Sequence, residues 1–240
     1  MNCKEEFSRT ARVLGCGALE RLKNARVAVF GIGGVGGYTA EALARAGVGA
    51  IDLFDCDSVS LSNINRQIIA LHSTVGQSKT EVMKRRILDI NPDCTITTHD
   101  VFYLPENAQQ FPLDVYDFIA DAIDTVSSKL ELIVRANQAN TPIISSMGTG
   151  NKLDPSRLQI TDLAKTSGCP LARVMRRELK ARGITHLPVV FSDEPAVQAP
   201  PDAPAIQDTQ IKRSPPGSLP FVPPVAGLLM ASEIVKKLIG

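Results

Sequence analysis

The fold of this chain is decided by one stretch near its N-terminus, Val27-Ala28-Val29-Phe30-Gly31-Ile32-Gly33-Gly34-Val35-Gly36. Its apolar residues predict a buried strand, and the glycines predict a tight turn that leads into a helix. A helix N-terminus aims N–H groups at such a turn, and glycines let an anion approach the backbone. The stretch is typical of a phosphate-binding turn, although glycines alone are a weak signal.

A second predicted strand, Ala50–Phe54, ends directly before an acidic residue, Asp55. Asp55 lies 22 residues beyond Gly33, where an acid hydrogen-bonds a ribose hydroxyl in folds with this turn. NAD, FAD and ATP all satisfy this much of the pattern.

Polar residues beyond Asp55 favour ATP among these nucleotides. Asn63 and Arg66 are three residues apart on a predicted short helix over residues 62–70, and Lys79 begins a predicted helix ending at Ile90. Together they would neutralise charge on the α- and β-phosphates during nucleophilic attack at the α-phosphate. Taken singly, each is better explained as a surface residue or a cap. Their order behind the glycine turn favours a binding site.

Two further acids have more than one interpretation. Asp124 follows a predicted strand at the carboxyl edge of the sheet, where it is a candidate Mg²⁺ ligand beside phosphates. It is also a candidate N-cap of the helix predicted over residues 126–139. Asp57 is either a turn residue or part of the site.

Strands that alternate with helices predict an α/β fold. We expect a Rossmann-like, mostly parallel sheet with helices on both faces and a smaller antiparallel C-terminal extension. The further strands predicted are Thr95–His99, Val115–Ala120, Pro142–Ser146, Arg157–Asp162 and Leu187–Ser192. We expect a single domain over residues 1–240, with a core at 1–165, an extension at 166–240 and a mobile loop at about 194–224.

Two helices of the predicted extension have open roles. Leu171–Arg182 is strongly basic and is either a solvated helix or a phosphate-contacting surface. Val225–Ile239 is apolar, and we expect it at a dimer interface, with association with a membrane surface as the weaker alternative.

Composition is ordinary for a globular protein, with 44% hydrophobic residues, 21% charged residues and a net charge of +1. No signal peptide or membrane-spanning run is recognisable, so we expect a cytoplasmic protein. The five cysteines form no CxxC pair, which argues against a disulfide framework or a four-cysteine zinc site. We expect Cys56 and Cys94 in or near the core, and Cys169 is either reactive or incidental.

The combination of turn, acid and polar residues resembles the ubiquitin-activating-enzyme superfamily and its ThiF and MoeB relatives. The resemblance covers roughly residues 7–165. The family pattern falls on Gly31, Gly33, Gly34, Gly36, Asp55, Asp57, Asn63, Arg66, Gln67, Lys79 and Asp124. It implies an enzyme that binds ATP and Mg²⁺ and adenylates a carboxylate, with Arg66, Lys79 and Asp124 in catalysis. Arg9 resembles an N-terminal arginine that reaches a partner subunit's ATP site, which implies a homodimer.

Four motifs narrow the resemblance to the tRNA threonylcarbamoyladenosine dehydratase branch. They are Thr10-Ala11-Arg12-Val13-Leu14-Gly15, the glycine turn, Asp121-Ala122-Ile123-Asp124-Thr125 and Gln159-Ile160-Thr161-Asp162-Leu163-Ala164-Lys165-Thr166. This branch implies adenylation of the threonyl carboxylate of the modified nucleoside in tRNA, followed by dehydration to a cyclic form. The alternative is activation of the C-terminus of a ubiquitin-like sulfur-carrier protein. A sulfur- or electron-relay partner and the tRNA species stay open.

Overall fold

The structure, a computed structural model, describes residues 4–203 and 216–240. Within these residues a seven-stranded sheet has the order β3-β2-β1-β4-β5-β7-β6. Its strands are β1 (Arg26–Phe30), β2 (Ala50–Phe54), β3 (Thr95–His99), β4 (Phe118–Asp121), β5 (Ile143–Ser146), β6 (Leu158–Asp162) and β7 (Pro188–Ser192). The predicted α/β fold is confirmed. Cys3 lies outside the described residues.

Strand β1 shows how the sequence places a core on each face of the sheet. Successive side chains of a strand point to opposite faces. Val27 and Val29 accordingly join one apolar cluster, whereas Ala28 and Phe30 join another. All four are fully buried, as expected for a central parallel strand.

The predicted antiparallel C-terminal extension is confirmed, because β6 and β7 pair antiparallel with each other. The extension joins the parallel sheet through β7, which pairs in parallel with β5. The reason is that β6 runs back from the edge at which β5 ends, so the next strand starts from the opposite edge. The strand predicted over Val115–Ala120 forms only at Phe118–Asp121, because Tyr116 N–H donates to the carbonyl of Leu113 in a turn.

Helices cover both faces of the sheet. They are α1 (Ser8–Leu14), α2 (Cys16–Asn24), α3 (Gly36–Ala46), α4 (Lys79–Ile90), α5 (Val126–Ala139), α6 (Pro170–Lys180) and α7 (Val222–Ile239). Gly47 caps α3 in the left-handed region at φ 92°, as its position predicts. Asn140 does the same for α5 at φ 56°.

The last helix packs inside its own chain. A Cβ on Gly227 would lie 2.3 Å from the carbonyl oxygen of Val35, and Thr39 Oγ1 donates to the carbonyl of Gly227 at 3.1 Å. The expectation that this helix lies at a dimer interface, or more weakly on a membrane surface, stays a prediction, since Leu228 on the same helix is exposed. No helix within 4–203 or 216–240 is long and apolar enough to cross a bilayer.

Two predictions of local structure are also wrong. Residues 62–70 do not form a helix, because a single 3₁₀ turn at Leu61–Asn63 is closed by the hydrogen bond from Ser60 N–H to Asn63 Oδ1 and irregular turns follow. Cys56 is exposed, since β2 ends two residues earlier, whereas Cys94 is buried as expected. The predicted loop at 194–224 lies partly outside the described residues and ends where α7 begins, at Val222.

Candidate functional site

The glycine turn closes tightly against the end of β4. Gly31 has φ +86°, and a Cβ there would lie 2.7 Å from the carbonyl oxygen of Ala122. A Cβ on Gly36 would lie only 1.7 Å from the carbonyl oxygen of Gly31. At Gly33 the nearest atom to such a Cβ is Gln67 Nε2, at 3.8 Å. Packing therefore requires the outer glycines, whereas Gly33 leaves room beside the start of α3.

Asp55 joins the end of β2 to the glycine turn. Its Oδ2 accepts from the Ile32 N–H at 2.7 Å, and its Oδ1 accepts from the Asp57 N–H at 2.8 Å. Burial raises the pKa of Asp55, and the nearby Lys79 and the backbone donors offset this only in part. The acid lies where the sequence predicts it, at the carboxyl end of a strand beside the turn.

Lys79 is a buried cation at the first position of α4. Its side chain is 7% exposed, and its Nζ lies 2.6 Å from Asp57 Oδ2 and 3.7 Å from Asp55 Oδ1. The N-cap, Ser78, fixes the helix start by donating to Asp100 Oδ1 at 2.8 Å. Asp57 is therefore more than a turn residue, because it belongs to a charge cluster beside the turn.

Arg66 lies across the turn from this cluster. A Cβ on Gly34 would lie 3.4 Å from Arg66 Cγ. The guanidinium Nη1 donates to the carbonyl of Ser62 at 3.0 Å and to Asn65 Oδ1 at 2.9 Å. Burial lowers the pKa of Arg66. The structure thus brings Arg66 and Lys79 to the same turn although no helix spans residues 62–70.

Gln67 supplies a buried acceptor that lacks a donor. The residue is 7% exposed, and its Oε1 has no hydrogen-bond partner among the described residues. Asn63, by contrast, already uses its Oδ1 to cap Ser60. Leaving a buried oxygen unsatisfied costs about 1–3 kcal/mol. A bound molecule with N–H or O–H donors would remove that cost, which fits a nucleotide beside Gly33.

Asp124 lies in the loop after β4 and is exposed. The N-cap of α5 is Thr125, whose Oγ1 donates to Asp124 at 3.3 Å. The interpretation of Asp124 as the N-cap is therefore wrong, because the helix begins one residue later than that role requires. The exposed carboxylate keeps oxygens available for a cation.

A buried ion pair that we did not predict supports this loop. Lys129 Nζ lies 2.7 Å from Asp121 Oδ2, which also accepts from Ser145 Oγ at 2.6 Å. Asp121 Oδ1 accepts from the Ile123 N–H at 3.2 Å. The sequence does carry a signal for the burial of Lys129. Its side chain lies on the same helix face as the apolar Ile133, four residues later.

One cluster among the described residues has the geometry of a metal site, namely Asp55, Cys56 and Asp57. It suits Mg²⁺ poorly, because Mg²⁺ takes oxygen ligands and Lys79 already occupies Asp57 Oδ2. Burial raises the pKa of the Cys56 thiol to about 11, and the neighbouring Asp57 and Asp55 add to the rise. Cys56 is therefore a protonated thiol at neutral pH.

Arg9 is exposed on α1 and lies far from the glycine turn of its own chain. The preceding Phe7 ring is 3.6 Å from a Cβ placed on Gly47, which follows the C-terminus of α3. The turn lies at the opposite end of that helix, about 16 Å away at 1.5 Å per residue. In this chain alone, Arg9 is not brought to the site.

Comparison with known proteins finds similarity along nearly the whole chain. The ThiF family profile matches residues 7–240, so the similarity extends beyond residues 7–165. The tRNA threonylcarbamoyladenosine dehydratase of Bacillus subtilis is 45% identical over 240 residues, covering 98% of this chain and 94% of the relative. The Salmonella typhimurium molybdopterin-synthase adenylyltransferase is 39% identical over 126 residues, 52% of this chain and 50% of its own.

A solved structure is similar over nearly the whole chain. The Escherichia coli tRNA N6-threonylcarbamoyladenosine dehydratase, crystallised in complex with ATP, has a TM-score of 0.87 and 39% sequence identity. The alignment covers 98% of this chain and 93% of that structure. On the strength of the profile match and of these relatives, the chain belongs to the ThiF family.

Proposed function

We propose that this chain is an ATP-dependent tRNA-modifying enzyme. It adenylates the threonyl carboxylate of threonylcarbamoyladenosine in tRNA and promotes dehydration to the cyclic form. The observation that carries the proposal is the 45% identity to a dehydratase of that specificity along 98% of the chain. The buried Lys79 and the half-buried Arg66 at the glycine turn would supply the charge that such chemistry needs.

ATP would lie with its phosphates on the Gly31–Gly36 turn and its ribose beside Asp55. Gln67 would accept a hydrogen bond from the nucleotide, since its Oε1 lacks a donor in the described residues. Arg66 and Lys79 would hold the phosphates, together with Arg9 from a second copy of the chain. Lys79 has three N–H donors, so it can keep its contact with Asp57 while it binds a phosphate oxygen.

Asp124 is the residue that would hold Mg²⁺. Mg²⁺ commonly takes one or two carboxylates together with phosphate oxygens. When bound, the ion supplies further neutralisation of phosphate charge. The exposure of Asp124 and the hydrogen bond from the neighbouring Ile123 N–H to Asp121 support this role.

The reaction would take place in two steps. First, a carboxylate oxygen of the substrate attacks the α-phosphorus of ATP, and pyrophosphate leaves. Second, a nucleophile of the threonylcarbamoyl group of the same substrate attacks the acyl carbon, and AMP leaves with the carboxylate oxygen. The second step is intramolecular, so proximity lowers its entropic cost. It needs no enzyme thiol, which agrees with the burial of Cys169 at 4% exposure.

The alternative is adenylation of the C-terminus of a ubiquitin-like sulfur-carrier protein. It is favoured by the similarity to molybdopterin-synthase adenylyltransferase, but that similarity covers only 52% of this chain. A sulfur- or electron-relay protein stays a proposed further partner under either function.

The direct test is incubation of the purified chain with ATP, Mg²⁺ and tRNA that bears threonylcarbamoyladenosine. Nucleoside mass spectrometry should then detect loss of one water from that nucleoside, together with stoichiometric AMP. The matched control is Lys79→Ala, which should form neither product. Unchanged nucleoside with the unaltered chain, combined with pyrophosphate exchange driven by a carrier protein ending in Gly-Gly, would establish the alternative instead.

A further inference from the structure

Asn65 connects the guanidinium of Arg66 to a distant part of the chain. Its Oδ1 accepts from Arg66 Nη1 at 2.9 Å, and its Nδ2 donates to the carbonyl of Ser218 at 2.9 Å. A guanidinium can only donate and a carbonyl can only accept, so a single orientation of the amide satisfies both contacts. The side chain of Asn65 therefore links Arg66 to a segment 153 residues further along the chain.

These contacts leave one edge of the Arg66 guanidinium open. Nη1 carries two N–H groups, and their acceptors are the carbonyl of Ser62, at 3.0 Å, and Asn65 Oδ1. In the described part of the chain, Nε and Nη2 have no protein acceptor. The N–H groups on that edge form the fork with which arginine binds two oxygens of one phosphate. Nη1 is thus the anchored nitrogen, and the other two are available to a ligand.

Both acceptors of Nη1 are uncharged. Among the described residues, no carboxylate forms an ion pair with Arg66. Lys79 differs, because Asp57 and Asp55 lie 2.6 Å and 3.7 Å from its Nζ. The amide of Asn65 therefore holds the guanidinium without offsetting its positive charge, and a partly desolvated charge attracts phosphates more strongly than one in bulk water.

The carbonyl that Asn65 contacts is itself held in place. Gly217, the residue before Ser218, exchanges two hydrogen bonds with Asn151. The Gly217 N–H donates to Asn151 Oδ1 at 2.6 Å, and the Gly217 carbonyl accepts from the Asn151 N–H at 2.7 Å. Beyond Ser218, Pro223 of α7 packs against the glycine turn. The segment on which Asn65 rests is therefore fixed on both sides.

We infer that Asn65 is a positioning residue for Arg66. By holding Nη1 with a neutral oxygen, it orients the edge formed by Nε and Nη2 towards the nucleotide phosphates and keeps the positive charge available to them. That ATP is the ligand rests on the proposed function, whereas the hydrogen bonds that anchor Arg66 do not.

The test is displacement of a fluorescent ATP analogue by ATP in the presence of Mg²⁺, which measures affinity without tRNA. Asn65→Ala should weaken ATP binding by about tenfold, because Arg66 loses a hydrogen bond that holds its charged group. In the Arg66→Ala background the same change should have no further effect, since the group that Asn65 positions is absent. The matched control is Asn137→Ala, which alters an exposed asparagine of α5 and should leave ATP affinity unchanged.

Asn65→Asp tests the requirement for a neutral acceptor. Its carboxylate can still accept from Arg66 Nη1, but the resulting ion pair offsets the guanidinium charge. We expect ATP to bind at least about tenfold more weakly than to the unaltered chain. Urea unfolding should give both Asn65 variants a stability close to that of Asn137→Ala, because Asn65 is exposed.

Asn151→Gly tests the support beneath Ser218. Asn151 has φ 54°, which glycine adopts without strain, so the variant loses only the side-chain acceptor for the Gly217 N–H. ATP binding should weaken by at least about twofold, and this loss should also vanish in the Arg66→Ala background.

Unchanged ATP affinity in Asn65→Ala would overturn the inference. An equal loss in the Arg66→Ala background would do the same, because the effect would then not pass through Arg66. Near-normal affinity in Asn65→Asp would refute the need for a neutral acceptor, and unchanged affinity in Asn151→Gly would remove Gly217 from the inference. The proposed function fails differently: ATP binding would then depend on Asn65 through Arg66 while the modified nucleoside stays intact.

Discussion

The ammonium group of Lys129 and the carboxylate of Asp121 lie 2.7 Å apart, and neither side chain has any exposed surface. Both side chains hydrogen-bond to Ser145 Oγ, which joins the end of β4 to β5. Asp121 also accepts a hydrogen bond from the Ile123 N–H. The glycine turn packs directly on the carbonyl of Ala122. A charge pair in the interior thus determines where the loop that carries Asp124 lies.

Lys129→Met should therefore destabilise the protein by about 3–5 kcal/mol, because it leaves the buried Asp121 charge without a partner. Chemical unfolding followed by circular dichroism measures this loss. Lys129→Met/Asp121→Asn removes both charges and should be more stable than the single variant. Equal stabilities of the two would contradict a paired role.

Lys79→Ala and Arg66→Ala should each reduce AMP formation by at least about 10²-fold, since each removes a cation from the phosphates. The measurement is single-turnover AMP release with modified tRNA. Lys84→Ala, a partly exposed position on the same helix α4, is the matched control and should retain activity. Near-normal turnover in either site variant would show that the phosphates bind elsewhere.

Arg9→Ala tests whether the active unit contains two chains. If Arg9 acts in the partner's site, mixing Arg9→Ala with Lys79→Ala restores one intact site in each mixed dimer. Random pairing makes about half of the dimers mixed, and each has one of its two sites intact, so we expect about one quarter of full activity. The assay compares each variant alone with the mixture after subunit exchange. No recovery in a mixture shown to contain mixed dimers would contradict action in trans.

Asp52 should make stability depend on acid pH. Burial alone would raise the pKa of its carboxyl, but hydrogen bonds from His99, Arg26 and Tyr116 outweigh this and hold the pKa below its ordinary value. A carboxyl whose pKa is lower in the folded state stabilises above its unfolded pKa, near 3.9, and loses that contribution as pH falls through the folded pKa.

Stability of the unaltered chain should therefore fall more steeply below about pH 4 than that of Asp52→Asn. Urea unfolding at a series of pH values gives the two curves, and their difference isolates Asp52 from the other carboxylates. Parallel curves would mean that the Asp52 network adds no pH dependence.

Most of the candidate site was predictable because its signals are local in sequence. The glycine turn, Asp55 and Lys79 follow strand ends or begin helices, and parallel topology brings such positions to one edge of the sheet. The predictions that failed depend on contacts distant in sequence. Asn63 closes a single turn with Ser60 in place of a helix.

The burial of Lys129 was missed for a related reason. A lysine in an amphipathic helix is expected in solvent, and only the acid at the end of β4 makes its burial favourable. Likewise, the apolar sequence of α7 does not reveal that the helix packs on α3. Hydrophobicity indicates that a face is covered, but not by what.

The contact of α7 with the glycine turn also has a consequence for biosynthesis. Pro223 lies 3.1 Å from a Cβ placed on Gly34, so α7 borders the turn that follows β1, nearly 200 residues earlier in the chain. Domains fold from the N-terminus during synthesis, but the candidate nucleotide site lacks one wall until residues 222–239 have been synthesised. The glycine turn can therefore form early, whereas the candidate site is completed only after α7 has packed against it.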